Sequence, residues 1–118
     1  MTRNVLTGRL VTAREFLCFV LGKRRRLKVV NNSMLPTARG GDYVLVDPAA
    51  YDTGLPAAGE LVVATHPHGR DTIIKRVAAV AGAKVWLSAD NATAGQDSRH
   101  FGAIDRALLR GKVTAIIA

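Results

Sequence analysis

Apolar and polar positions change rhythm at Gly22. Before it, Phe16, Leu17, Phe19, Val20 and Leu21 cluster just after Arg14 and Glu15, which predicts a short helix from Val11 to Leu21. After it, β-branched residues recur in short runs bounded by Gly, Pro, Asn and Asp. These runs predict strands at Leu27–Asn31, Asp42–Asp47, Glu60–His66, Thr72–Ala81, Lys84–Ser88 and Lys112–Ile117. Arg39–Asp42 and Pro56–Gly59 read as turns, and Pro67–Asp71 as a hairpin-like connection. Ala89–Asp105 is polar and lacks either period, and long loops of this kind tend to be functional. A short helical turn is expected over Asp105–Arg110. The fold class is mostly β, with a β domain over residues 27–118 preceded by a basic segment, residues 1–26, that carries the helix.

Composition adds limits to that picture. At 118 residues and 48% hydrophobic, the chain can build one core without disulfides. Cys18 has no partner in the chain and is expected to be a buried thiol, so nothing points to an oxidising compartment. The formal charge of +8 is uneven: residues 1–28 hold eight Arg or Lys against one acid, Glu15. No nucleic-acid partner is expected, since only Lys23–Arg26 with Lys28 offers a basic run and no recognition helix or aromatic array accompanies it. The apolar run Phe16–Leu21 is far short of the about 20 residues of a bilayer span. Its charged cluster follows the run, the reverse of a signal peptide. The helix is expected to pack on the body, with a peripheral contact on an anionic membrane through residues 9–28 as the other option. The expected location is cytoplasmic, membrane-peripheral at most.

Two segments carry candidate chemistry. Ser33 lies in Asn31-Asn32-Ser33-Met34-Leu35-Pro36-Thr37, between a predicted strand and a proline-fixed turn. Lys75 lies in Ile73-Ile74-Lys75-Arg76-Val77, where alternation sets it among Ile73 and Val77 on one strand face. A serine hydroxyl needs a base within hydrogen-bond reach and donors for the oxyanion it creates. Lysine can be that base when desolvation lowers its pKa from about 10.4 toward 7–8. Taken singly, Ser33 reads first as a turn residue bonding local backbone and Lys75 as a solvated strand lysine. His66, His68 and His100 lack an orienting acid in sequence, and His66-Pro67-His68 lacks the spacing and companion ligands of a metal site, so no metal is assigned.

The companions decide the reading. Ser33-Met34-Leu35-Pro36-Thr37, Gly41-Asp42 before Val44-Leu45-Val46, Lys75-Arg76-Val77, Asp90-Asn91, and Asp97-Ser98-Arg99 with Gly102 follow in the order of the blocks of type I signal peptidases. The chain resembles that serine–lysine peptidase family over roughly residues 29–116. Within it, the chain is most similar to the small nickel-type superoxide dismutase maturation proteases. The resemblance implies a coiled, mostly antiparallel β-sheet of the signal peptidase catalytic-core type. It implies Ser33 as nucleophile and Lys75 as general base, with Asp97 pairing Arg76 and with Asp90 and Ser98 in support. It further implies a serine endopeptidase that needs no cofactor and takes as partner a precursor protein, the nickel-type superoxide dismutase proenzyme, from which it removes an N-terminal pro-segment; the nickel would belong to the substrate.

Three positions depart from the family pattern. Some signal peptidases place a hydroxyl two residues before the nucleophile as an oxyanion donor beside the serine N–H; here that place is Asn31, whose amide can donate instead. The family's Gly-Asp-Asn is Ala89-Asp90-Asn91, and a serine that often orients the lysine is replaced by Gly95, leaving Ser98, Thr93 or a water to do so. The rival readings are general processing of secretory precursors, a self-cleaving repressor-type peptidase, and a non-catalytic β module that binds an anionic partner through residues 23–28. Too few residues precede the first predicted strand for a repressor's DNA-binding domain.

Overall fold

The predicted strands pair into one sheet, seen in a computed structural model that describes residues 12–118. In chain order the elements are α1 (Ala13–Val20), β1 (Arg25–Lys28), β2 (Tyr43–Asp47), β3 (Leu61–Thr65), β4 (Thr72–Ala81), β5 (Lys84–Ser88), α2 (Ser98–Phe101), β6 (Ile104–Asp105), a 3₁₀ turn (Arg106–Leu108) and β7 (Leu109–Ile117). The seven strands run β1-β2-β7-β3-β4-β5-β6, every pair antiparallel, in a sheet curled into a half-barrel. The fold class read from the sequence therefore holds.

Two apolar clusters hold the curl. Met34, Val44, Leu61, Val63 and Val113 form one, and Val62, Val77, Val85, Leu87 and Ile104 the other. Consecutive β3 residues join different clusters, Val62 one and Val63 the other, as the two-residue period of a strand requires. Burial on both faces explains why β3 reads as an unbroken apolar run. β7 crosses β2 closely at Gly111, where an added Cβ would come within 2.7 Å of the Asp47 carbonyl oxygen, so only glycine fits.

Several boundaries move for identifiable reasons. β1 ends at Lys28, three residues early, although pairing continues irregularly as Val29 N–H donates to Asp42 O and Gly41 N–H to Val29 O. β7 starts at Leu109, which shortens the expected helical turn to Arg106–Leu108, capped by the Asp105 carboxylate on Ala107 N–H. The long polar segment is not structureless. Asp97 caps α2 by accepting from Arg99 N–H, and the fully buried Ile104 brings β6 onto β5.

α1 departs most from expectation. It is shorter than the predicted helix, whose first residue, Val11, lies outside the described residues. The helix does not pack through its apolar residues: its buried residue is Glu15, while Phe16, Leu17, Phe19 and Val20 are exposed. Cys18 is half-buried, short of the buried thiol expected. Glu15 takes a two-pronged contact from Arg24, at 3.0 and 3.2 Å, and a hydrogen bond from the Thr114 hydroxyl on β7. A charged latch, not an apolar face, ties the helix to the sheet. Among the described residues, no helix is long and apolar enough to cross a membrane.

Candidate active site

β4 carries Lys75 into the interior beside Val77, opposite Val62 of β3. The chain leaving β1 turns at residues 31–37 and brings Ser33 against it. Ser33 is 2% and Lys75 4% exposed, and Lys75 Nζ lies 2.7 Å from Ser33 Oγ. Among the described residues that hydroxyl is the hydrogen-bond partner of the amine. Burial pushes the Lys75 pKa below the ordinary lysine value, and the Asp97 charge pulls weakly the other way. A buried amine that resists protonation and touches a hydroxyl can accept that hydroxyl's proton.

Ser33 is held from the side of the polar segment. Asn91 N–H donates to the Ser33 carbonyl at 2.8 Å, and the Asn91 side-chain amide donates to Asn32 O at 3.1 Å. Gly95 packs directly on the serine: a Cβ built there would fall 2.4 Å from Ser33 Cβ. The absent family serine is thus an absent side chain with a steric reason.

Arg76, the next residue on β4, forms a clamp. Its Nε and Nη2 donate to the two Asp90 carboxylate oxygens at 2.9 and 2.7 Å, and its Nη1 donates to Gly59 O at 2.7 Å. The Thr37 hydroxyl donates to Asp90. The strand that bears the lysine, the turn that bears the serine and the polar segment therefore meet at one guanidinium. Burial works against the Asp90 charge, but the bonds from Arg76 and Thr37 outweigh it and hold its pKa below the ordinary carboxylate value.

This geometry corrects the expected Arg76–Asp97 pair: Arg76 pairs with Asp90. Asp97 is spent on the α2 cap, on Arg99 Nε at 2.9 Å and on Ala89 N–H at 2.9 Å. Burial opposes its charge, yet those bonds hold its pKa down at about 2. Ser98 Oγ accepts from Leu87 N–H and Thr93 donates to Asn91, so neither bonds Lys75. Asn31 is beside the serine as expected but presents its oxygen: Oδ1 accepts from Ser33 N–H at 3.1 Å. Ala89 needs no positive φ. His66 meets Phe101 edge-on and lies tilted to His68, and among the described residues no His, Cys, Asp and Glu cluster is placed to hold a metal.

Beside Ser33 runs a groove of about 470 Å³, walled by Leu27–Asn31 on one side and Asp71–Lys75 on the other. Sequence reasoning gave Thr37 and Asn91 no role, although both lie in blocks of the resemblance, and marked Gly95 only as the place of an absent serine. Thr37 carried one available signal, since it lies in the same block as Ser33.

The chain matches the family described as signal peptidase, peptidase S26, over residues 6–93, and it belongs to that family. The match takes in Ser33, Lys75, Arg76 and Asp90 and stops before Asp97. Membership makes the protein a member of a serine peptidase family with signal-peptidase-like processing. Among curated proteins, none matches the chain.

Proposed function

We propose that this protein is a serine endopeptidase that uses Ser33 and Lys75 as a catalytic dyad to remove an N-terminal segment from a precursor protein. The observation that carries the proposal is the buried 2.7 Å contact between Lys75 Nζ and Ser33 Oγ. In the first half-reaction neutral Lys75 takes the Ser33 proton as Oγ attacks the scissile carbonyl carbon. The tetrahedral intermediate collapses with cleavage of the C–N bond, and the Lys75 ammonium returns the proton to the leaving amine. Water then attacks the acyl-enzyme while Lys75 takes a proton from it. Collapse breaks the bond to Ser33 Oγ, to which the Lys75 ammonium returns that proton, releasing the acid product and regenerating Ser33 and neutral Lys75.

The oxyanion forms next to Ser33 N–H, where the substrate oxygen replaces Asn31 Oδ1. Turning the Asn31 amide over then offers its N–H₂ as a second donor. Asp97 and Ser98 act at a distance, by fixing α2 and the end of β5, while Asp90 and Arg76 hold Lys75 and Ser33 in register. Leu27, Val30, Ile73 and Ile74 line the groove and favour an extended, apolar stretch of substrate.

The nickel-type superoxide dismutase proenzyme is the specific substrate we infer, on the similarity of the Ser33 and Lys75 blocks. The test incubates the purified protein with that proenzyme and, separately, with a secretory precursor, and reads cleavage sites by mass spectrometry beside Ser33→Ala and Lys75→Ala. One defined cut in the proenzyme, absent with both variants, is the expected result. A cut in the secretory precursor alone would replace the substrate, and cleavage that survives both substitutions would remove the dyad.

A further inference from the structure

We propose that the end of the groove farthest from Ser33 selects the precursor by charge, taking an acidic segment that lies about five residues from the scissile bond. This deepens the peptidase reading and rests on it. Both walls run toward the dyad: β1 and its continuation lead from Arg25 through Leu27 and Val29 to Ser33, and the start of β4 leads from Asp71 through Ile73 to Lys75. The lining is apolar along much of that length, through Leu27, Val29, Ile73 and Ile74, and becomes charged at the far end. Arg25 shares the inner face of β1 with Leu27, because their register partners, Val46 and Val44, both belong to one core cluster. It therefore stands one strand repeat past the last apolar residue of that wall. Lys28 lines the same wall, and Arg70 adjoins Asp71 on the other.

The charges at this end are uncompensated. Six of the chain's nine acids are taken by ion pairs with Arg24, Arg76, Lys84, Arg99 and Lys112. Among the described residues none of those pairs draws on Arg25, Lys28 or Arg70, all three of which are exposed. Asp71 is the one acid that lines the groove, so three cations face one anion there. An extended substrate rises ~3.3 Å per residue along the walls, which brings a residue about five from the scissile bond to this end. A basic segment would be repelled at that point. An acidic one is attracted, first at long range by the formal charge of +8 and then by the cations at the lip.

The test uses synthetic peptides with a common apolar centre and a pair of Asp, Gln or Lys residues about five positions to one side of it or the other. Binding is read by fluorescence anisotropy on Ser33→Ala, and cleavage by the wild type is read by mass spectrometry. On the side that occupies the groove, the Asp peptide should bind roughly three- to tenfold tighter than the Lys peptide, with Gln between, and the gap should close as salt rises. Arg25→Glu with Lys28→Glu, placed in the Ser33→Ala chain, should reverse that order. If that variant misfolds by circular dichroism, Asp71→Asn takes its place and should widen the gap. Equal binding of the three charges on both sides, or an order that neither substitution moves, would overturn the proposal. Cleavage separates it from the peptidase reading. Charge-graded binding with no peptide cut would count against the dyad and leave the surface, whereas cleavage at one kcat/KM for all three charges would remove the surface and leave the dyad.

Discussion

Protonating Lys75 in place costs more than protonating it in the unfolded chain, because its amine is buried with the Ser33 hydroxyl as its polar partner. Its folded pKa is therefore below the unfolded one. The fold gains stability as pH rises from the folded value to the unfolded value, and loses it as pH falls through that window. The same titration should appear in the kinetics as a limb of kcat/KM that rises with pH at a midpoint below the ordinary lysine value. Asp97→Asn should move that midpoint lower, since the Asp97 charge favours the ammonium. Lys75→Met should abolish cleavage while thermal unfolding shows a Tm equal to or above wild type, because an apolar side chain of similar length suits the site better than a buried amine. Gly95→Ser brings a Cβ within 2.4 Å of Ser33 Cβ, so it should destabilise by about 1–3 kcal/mol and depress kcat, read from urea unfolding and from turnover. Ser33 and Lys75 were legible because their blocks occur in order with the companion blocks of the resemblance; alone, each would read as a plain turn or strand residue. Gly95 was legible only as something missing, because its contact spans 62 residues of chain and depends on how closely two loops approach.

At the scale of elements, the working unit is the β4–β5 hairpin with the loop beyond it. Arg76 pairs across the hairpin with Ser88, so the loop residue two positions further on, Asp90, arrives at the guanidinium. Counting back from the turn at Gly82 does not give this partner, because the bulge between Val77 and Ala79 shifts the register by one residue. The resemblance pointed to Asp97, seven residues further along, and nothing local in the sequence says that Asp97 is consumed by capping α2. Arg76→Lys keeps the charge but loses the two-pronged geometry, and Asp90→Asn removes the charge. Each should cost about 1.5–3 kcal/mol in urea unfolding and lower kcat more than it raises KM, because the clamp sets the meeting of serine and lysine and does not line the groove. Strand positions were legible because apolar alternation and turn residues bound them. α1 was legible as a helix but not as an inverted one, since its orientation depends on Glu15 meeting Arg24 and, 99 residues away, Thr114.

For the molecule as a whole, one curled sheet brings together residues that the chain spreads from 31 to 98, and the two groups that meet at 2.7 Å are 42 residues apart. The antiparallel sheet was legible in outline from short strands bounded by turns, whereas its order, with the last long strand inserted between β2 and β3, depends on long-range pairing that no local pattern encodes. The same sheet sets the apolar helix and the groove at one edge, β1. What the whole arrangement stands on is a covalent step at one oxygen. The most direct measurement is acid-quenched intact-mass and peptide-mapping analysis during cleavage of a precursor, with wild type and Lys75→Met side by side. A substrate acyl group on Ser33 in the wild type, and none in Lys75→Met, is the result the dyad predicts; an acyl group on another residue, or acylation of Ser33 at the wild-type rate without the lysine, would contradict it.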